Sequence, residues 1–239
     1  MSKTFLKAEW RRLAIANYAI DPQILIKYLP YKTELDIWEN TCFVSLVGFM
    51  FLNTRLKGIR IPFHSNFEEV NLRFYVRYKE SGIWKRGVVF IKEIVPKPAL
   101  TFVANTIYKE NYETMKMAHS WVNANGLITV EYKWKKADWN NFKVVASDNQ
   151  IPIASGSEEE FITEHFWGYT FLSSNKTSEY EVTHPTWNVY SVKEYSIDVN
   201  FENVYGQEFK FLKDQLPKSV FLAEGSEIQV KEGSILPEF

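Results

Sequence analysis

The segment NFEEVNLRFYVRY, Asn66–Tyr78, has the alternation expected of a β-strand. Successive side chains of a strand point to opposite faces, so one face of this segment is apolar. That face carries Val70, Leu72, Phe74 and Val76. The opposite face interleaves charged and amide side chains with aromatic rings: Phe67, Glu69, Asn71, Arg73, Tyr75 and Arg77. The segment therefore predicts a strand whose second face is either wetted by solvent or lines a pocket.

Glu69, Asn71 and Arg73 follow one another on that second face at steps of about 7 Å, because a strand rises about 3.3 Å per residue. At this spacing a carboxylate, an amide and a guanidinium can form one hydrogen-bonded network. Such networks are typical of pocket linings, although charged side chains also decorate the solvent face of antiparallel sheets. Both interpretations stay open on the sequence alone.

The segments around this strand have a similar character. β-Branched and aromatic residues recur between short turn signals, which is typical of an antiparallel meander. The segments concerned are ELDIW, CFVSLVGFMFL, WKRGVVFIKEIV, LITVEYKWKK, NNFKVVAS, HFWGYTFLSS, SEYEVTH and TWNVYSVKEYSIDV. The sequence predicts a mainly β (α+β) fold built from antiparallel strands.

Three short helices are predicted between the strands. In the first, Asp21 caps the helix, Pro22 takes the first helical position and Pro30 ends the segment. KPALTFVANTIYKENY predicts the longest helix, starting at Pro98, and NVYGQEFKFL predicts the last. We expect DNQIPIASGSEEE to be a polar loop and the two segments around Gly225 to form a hairpin.

Composition limits the class of partner. The 239 residues are 46% hydrophobic and 16% aromatic and contain no linker or repeat, which predicts one domain over residues 1–239. A net charge of -1 with dispersed Lys and Arg gives no basic patch for nucleic acid. No apolar stretch approaches the length of a membrane span, and no signal peptide is visible, so we expect no membrane partner. The single Cys42 lies in an apolar run, which favours a reducing, cytoplasmic compartment.

Standard cofactor motifs are absent from the sequence. It contains no Gly-rich dinucleotide motif, P-loop, nucleophile elbow or H-E-x-x-H, and we expect no bound cofactor. The four histidines, His64, His119, His165 and His184, lack the spacing of metal ligands, so no metal site is predicted. Cys42 is a poor candidate nucleophile because an apolar environment disfavours the thiolate.

The motif F-x-E-x-N-x-R-x-Y-V, from Phe67 to Val76, resembles the YqjF-like family of uncharacterised bacterial proteins, a domain of unknown function in the acetoacetate decarboxylase-like superfamily. Other pieces match in the family's order along nearly the whole chain. They are W-x-x-L at Trp10 and Leu13, D-P with L-x-x-x-L-P in Asp21–Pro30, GVVF at Gly87, A-N-x-x-Y-x-x-x-Y in Ala104–Tyr112, and H-P-x-W in His184–Trp187. The chain departs from the family's usual Arg at Asn105 and from its usual Pro at Asn111.

This resemblance implies an acetoacetate decarboxylase-like, cone-shaped antiparallel β-barrel with a few flanking helices and a ligand cavity inside. Glu69 would correspond to the pocket glutamate of the decarboxylases. Their Schiff-base lysine, followed by a second lysine, stands at a helix end where this chain reads Asn111-Tyr112-Glu113. A phenol cannot condense with a ketone, and Glu113 would raise rather than lower the pKa of a neighbouring acid.

The resemblance and this substitution together lead to three hypotheses. The first is a small-molecule binding protein, or an enzyme without Schiff-base chemistry, that takes a carboxylate- or carbonyl-containing ligand. Arg73 would contact the ligand, Asn71, Tyr75 and Tyr112 would complete the pocket, and Glu69 would orient Arg73 or act as general base. The second is a non-catalytic scaffold module that forms a homo-oligomer. The third is a decarboxylase-like lyase with a displaced lysine, for which the candidates are Lys109 and Lys116.

Overall fold

The computed structural model describes residues 3–237, without the side chains of Ile107 and Tyr108. Its strands are β1 Thr4–Ala19, β2 Glu34–Leu35, β3 Phe43–Leu56, β4 Phe67–Glu80, β5 Ile83–Val95, β6 Tyr112–Thr114, β7 Lys116–Ala124, β8 Leu127–Lys135, β9 Trp139–Pro152, β10 Trp167–Ser173, β11 Lys176–Thr183, β12 Asn188–Asp198, β13 Ser219–Lys231 and β14 Ser234–Ile235. Its α-helices are α1 Pro22–Leu25, α2 Pro98–Val103, α3 Glu158–Thr163 and α4 Phe201–Tyr205. Two 3₁₀ segments, Ile26–Tyr28 and Gln207–Lys213, and one π-helical turn, Ala104–Tyr108, extend these helices.

The strands form one sheet, part of which closes on itself. The closed part is a ring in the order β11, β10, β5, β4, β3, β1 and β13, and it closes because Val182 of β11 pairs with Val230 of β13. Neighbours in the ring are antiparallel except for β10 and β5, which are parallel. The prediction of a mainly β, cone-like fold is confirmed.

A second layer of the sheet covers the outside of the ring. It consists of β12, β9, β8 and β7, which continue from β13. Gly48 of β3 makes room for this layer, because a Cβ there would lie 2.7 Å from the ring of Tyr132 on β8. The apolar face of β4 is packed into the core beneath this layer. Phe67 and Tyr75 belong to a separate core cluster on the other face, so β4 is buried on both sides.

The first and last long strands differ from the sequence predictions. β1 was not predicted, and its pairing partners are the distant β3 and β13. The predicted hairpin around Gly225 is wrong, because β13 runs through this residue as one strand. Gly225 has φ +79°, and a Cβ there would lie 1.9 Å from the carbonyl oxygen of Trp10. Glycine at this position therefore permits a close contact between two strands rather than a chain reversal.

Two of the helices begin as predicted. The side chain of Asp21 accepts a hydrogen bond from Gln23 N at 2.9 Å, and Pro22 occupies the first position of α1. α2 likewise starts at Pro98. The expected loop before residue 160 instead contains the end of β9 and the start of α3, which Ser157 caps. Within residues 3–237, no helix is long and apolar enough to cross a membrane.

Candidate functional site

A cavity of about 320 Å³ lies inside the ring, and residues from all seven ring strands line it. Its size is at the lower end of the range found for small-molecule sites. Much of the wall is aromatic: Trp10, Phe49, Phe51, Phe67, Phe90, Trp167 and Trp187. A second depression of about 390 Å³ lies on the surface loop around Phe63. The interior cavity is the stronger candidate because polar and titratable side chains converge on it.

β4 places Glu69 and Asn71 in the cavity wall, 2% and 1% exposed respectively. The amide Nδ2 of Asn71 donates to Oε1 of Glu69 at 3.0 Å. Burial raises the pKa of Glu69 to about 7, although hydrogen bonds from Asn71 and Tyr112 act in the opposite direction. These positions rule out the solvent-wetted interpretation for the two residues, and burial favours the protonated form of Glu69.

Two further acids, Glu93 and Glu110, join this wall and were not predicted from the sequence. Glu93 of β5 lies directly opposite Asn71 and is 3% exposed. Burial, together with the charges of Glu110 and Glu69, raises the pKa of Glu93 well above its usual value. Burial also raises the pKa of Glu110 to about 7, and its Oε1 accepts a hydrogen bond from Thr170 Oγ1 at 2.7 Å.

Glu93 faces the cavity because of a bulge in β5. Leu72 pairs with Lys92 and Arg73 pairs with Phe90, which leaves Ile91 as an extra residue. Beyond such a bulge the alternation of faces is reversed. Phe90 and Glu93 therefore both line the cavity, whereas Ile91 packs in the outer core.

Glu69, Glu93 and Glu110 form an acid cluster, and hydrogen bonds to its backbone hold Tyr112 beside this cluster. Asn105 Nδ2 donates to the carbonyl of Tyr112, and Tyr112 N donates to Asn105 Oδ1, both at 2.8 Å. The phenol of Tyr112 donates to Glu69 Oε2 at 3.3 Å. Burial raises the pKa of Tyr112 well above its usual value, and the charges of Glu69 and Glu93 add to this rise.

Glu113 does not have the effect on Tyr112 that the sequence suggested. Its carboxylate pairs with Lys136 and with Lys92, the latter at 2.7 Å. Although burial raises the pKa of Glu113, hydrogen bonds from these two lysines leave it below its usual value. Glu113 therefore belongs to an ion-pair cluster with Lys92 and Lys136, and it does not line the cavity.

Tyr180 completes the cluster from β11. Its ring lies over Gly168, where a Cβ would be 2.2 Å from Cζ of Tyr180. Burial raises the pKa of Tyr180 well above its usual value, with contributions from Glu110, Glu93 and Glu69. No local signal marked this tyrosine, because its proximity to the acids depends on ring closure.

Arg73 lies half-buried in the same wall. Its Nη2 donates weakly to the carbonyl of Ile162 at 3.4 Å, and its Nε is buried without a hydrogen-bond partner among the described residues. The guanidinium carbon lies 5.7 Å from the ring centre of Tyr75. Tyr75 itself is not among the lining residues, and its hydroxyl donates to Ser45 Oγ at 2.7 Å. Tyr75 therefore supports Arg73 from behind the wall.

Three of the four histidines line the cavity, and the fourth lies outside it. His165 Nε2 lies 3.0 Å from Asp36 Oδ2, and burial lowers the pKa of this imidazole to about 4. His184 stacks on Trp187 with ring centres 4.2 Å apart. His64, His165 and His184 all line the cavity, whereas His119 contacts Glu68 and does not line it. Among the residues that the structure describes, no group of His, Cys, Asp and Glu is arranged to hold a metal ion.

Neither lysine considered for Schiff-base chemistry lines the cavity. Lys109 and Lys116 are exposed, and the ammonium of Lys116 lies 5.8 Å from the ring centre of Trp139. Lys231 does belong to the wall, but its Nζ donates to Gln229 Oε1 at 3.1 Å and to Thr4 Oγ1 at 3.3 Å. The lysines near the cavity are thus either directed elsewhere or hydrogen-bonded.

Comparisons with known proteins agree with this architecture. The model of a family described as "Uncharacterized conserved protein" matches residues 7–227. The uncharacterized protein YqjF of Bacillus subtilis (strain 168) is 26% identical over 187 residues, covering 76% of this chain and 74% of that protein.

Solved structures share the fold at low sequence identity. Acetoacetate decarboxylase from Legionella pneumophila superposes with a TM-score of 0.68 at 13% identity, covering 98% of this chain and 88% of that one. The enduracididine biosynthesis enzyme MppR complexed with pyruvate also gives 0.68, at 9% identity and with 99% and 91% coverage. An acetoacetate decarboxylase-like enzyme from Sphingomonas wittichii RW1 gives 0.66, at 9% identity and with 98% and 94% coverage.

Proposed function

The chain belongs to the DUF2071 family, and from this premise we propose that it binds a small carboxylate- or carbonyl-containing molecule in its interior cavity. The proposal assigns the anion-binding role to Arg73. Any reaction at the site would proceed without a lysine Schiff base. A structural neighbour, MppR, has been solved in complex with pyruvate, which gives a probe of suitable size and chemistry.

The observation that carries the proposal is the state of Arg73. Its guanidinium lies in the cavity wall, has no ion-pair partner within the described chain, and leaves one buried nitrogen without a hydrogen bond. A half-buried guanidinium without an ion-pair partner is stabilised by an anion, and its planar geometry matches that of a carboxylate. A ligand carboxylate would satisfy both its charge and its donors, and a carbonyl oxygen would satisfy its donors.

Glu69 supplies the acid–base chemistry that such a site can support. A carboxyl group with a pKa of about 7 can both accept and donate a proton at neutral pH. Tyr112 donates to it and keeps its orientation. We therefore assign Glu69 as the general base of any reaction that removes a proton from the bound molecule.

Ligand binding can be tested by thermal denaturation with pyruvate and a panel of keto and hydroxy acids. A ligand at a hundredfold excess over its Kd stabilises the folded state by about 2.7 kcal/mol, which is a shift of several degrees. Arg73→Gln should lose this shift. The matched control is Arg77→Gln, because Arg77 lies on the same strand but pairs with Glu34 at the surface. Equal shifts in wild type and Arg73→Gln, or no shift with any acid, would refute the proposal.

We propose that the protein acts in the cytoplasm, on the basis of Cys42. Its thiol is buried and reduced, and burial raises its pKa to about 11. Proteins of reducing compartments normally keep their cysteines as unpaired thiols. Fractionation of cells expressing the chain would test the assignment.

Self-association is a second candidate function, favoured by the apolar loop between β3 and β4. Ile59 and Phe63 on this loop are 69% and 90% exposed, and Phe102 of α2 is 70% exposed. Exposed apolar patches commonly mark contact surfaces. Sedimentation velocity should show a dimer or larger species that Phe63→Ser dissociates. A wild-type monomer at high concentration would exclude this candidate.

A further inference from the structure

Unpartnered polar atoms are concentrated around the interior cavity. Nine buried side-chain nitrogen or oxygen atoms have no hydrogen-bond partner among the described residues, and six of them belong to cavity-lining residues. The six residues are Trp10, Thr54, Asn71, Arg73, Glu93 and His165. Buried polar groups are normally satisfied, so this concentration marks a place where a polar molecule binds.

Two of these atoms are side-chain oxygens of residues that pair across neighbouring strands. Asn71 Oδ1 and Glu93 Oε2 belong to directly paired positions of β4 and β5. The Asn71 amide uses its Nδ2 on Glu69, which leaves the oxygen as its free atom. Asn71 Oδ1 requires a donor, and Glu93 Oε2 also accepts one when that carboxyl is ionised, whereas Arg73 requires an acceptor.

The charge of the wall selects among possible donors. Glu69, Glu93 and Glu110 lie close enough to alter one another's ionisation. Arg73 is the wall cation whose charge acts on Glu69. The other wall cation, Lys231, is hydrogen-bonded to Gln229 and Thr4, so the three carboxyl groups either retain protons or receive a further cation. The aromatic wall is also a favourable surface for an organic cation.

We propose that the ligand carries a protonated amine, which binds between Asn71 and Glu93 while its carboxylate or carbonyl oxygen faces Arg73. The contact with Arg73 rests on the function proposed above, whereas the position of the amine does not. Asn71 and Arg73 are two residues apart on one strand, a step of about 7 Å. The ligand class is therefore a small molecule with an amine at one end and a carboxylate or carbonyl oxygen at the other.

Binding of such a ligand displaces a proton. A protonated carboxyl of the cluster and an ammonium group combine to form a carboxylate–ammonium pair, and the proton passes to solvent. The ammonium keeps its own three hydrogens and donates them to the wall. Proton release is thus a signature of the amine and is not expected from a carboxylate that contacts only Arg73.

Four probes of one chain length separate the two halves of the proposal: 5-aminopentanoate, pentanoate, pentylamine and pentan-1-ol. Affinities are measured by calorimetry in two buffers of different ionisation enthalpy, which also counts released protons. We expect 5-aminopentanoate to bind at least tenfold more tightly than pentanoate and to release protons. Glu93→Gln should remove this advantage and the proton release. Glu113→Gln is the matched control, because this acid is outside the cavity lining, and it should leave all four affinities unchanged.

Each alternative result has a defined meaning. Equal binding of pentanoate and 5-aminopentanoate overturns the amine inference and leaves the proposed function in place. Binding of pentylamine without pentanoate supports the amine and refutes the role of Arg73. Binding by none of the four refutes both. The wild-type comparison requires no variant, so a folding defect in Glu93→Gln would not obscure the outcome.

Discussion

Replacing Glu69 with Gln is expected to stabilise the protein above pH 7 and to have little effect below pH 4.5. Glu69 is 2% exposed and accepts hydrogen bonds from Asn71 and Tyr112. Glutamine has nearly the same shape, and its amide can serve both neighbours after a hydroxyl rotation. The substitution therefore removes a buried ionisable group while preserving the packing around it.

The size of the effect follows from the pKa of Glu69. Burial raises it from 4.5 to about 7, and each unit corresponds to about 1.36 kcal/mol. Below pH 4.5 the carboxyl is protonated in both the folded and unfolded chains, so its titration costs no stability. Between pH 4.5 and about 7 the unfolded chain releases the proton while the folded chain retains it, so stability falls as the pH rises. The total loss is roughly 3 kcal/mol, and Glu69→Gln should recover a gain of that order.

Urea denaturation at about pH 4 and about pH 8 measures this difference. Glu113→Gln provides a control of opposite sign, because the pKa of Glu113 is below its usual value despite burial, owing to Lys136 and Lys92. That control should destabilise the protein near pH 8 and lose its effect as the pH falls. A Glu69→Gln variant that is no more stable than wild type near pH 8 would refute the reasoning. So would a gain of equal size at both pH values.

Three further predictions concern single features. Gly168→Ala should lower the free energy of unfolding by about 1–3 kcal/mol because its Cβ would clash with Tyr180; an unchanged urea midpoint would contradict the close contact. Cys42 should react slowly with a thiol reagent in the folded protein and rapidly in urea, because burial raises its pKa to about 11; equal rates would show an accessible thiol. Incubation with acetoacetate and borohydride should give no adduct by mass spectrometry, since Lys109 and Lys116 do not line the cavity; a trapped lysine would restore Schiff-base chemistry.

The inward side of β4 could be predicted because a regular strand obeys a period of two residues. Glu69, Asn71 and Arg73 accordingly share one wall of the cavity. Glu93 could not be found in this way, since the bulge at Ile91 reverses the alternation in β5. The signal for such a residue is an acid in a mainly apolar segment, as Glu93 is in WKRGVVFIKEIV.

Other parts of the site depend on contacts with no local trace in the sequence. Glu110 lies outside any strand, and its partner Thr170 is sixty residues away. The side chain of Asn105 is hydrogen-bonded to the backbone of Tyr112. Residue type alone does not predict this contact. Residue patterns therefore predicted many of the strands and the two faces of β4, but they missed β1, and the residues of the acid cluster come together only in the closed ring.

The order in which the ring closes has a consequence for how the chain folds. β1 pairs with β13 in a register that begins with Thr4 opposite Lys231, so nearly the whole chain separates these partners. Contacts of such long range make folding slow, and synthesis from the N-terminus cannot close the ring until β13 has left the ribosome. Until then the carboxyl groups of the cavity remain hydrated. These carboxyl groups are therefore desolvated when β13 closes the ring. Because desolvation favours their protonated form, ring closure should be more favourable at lower pH.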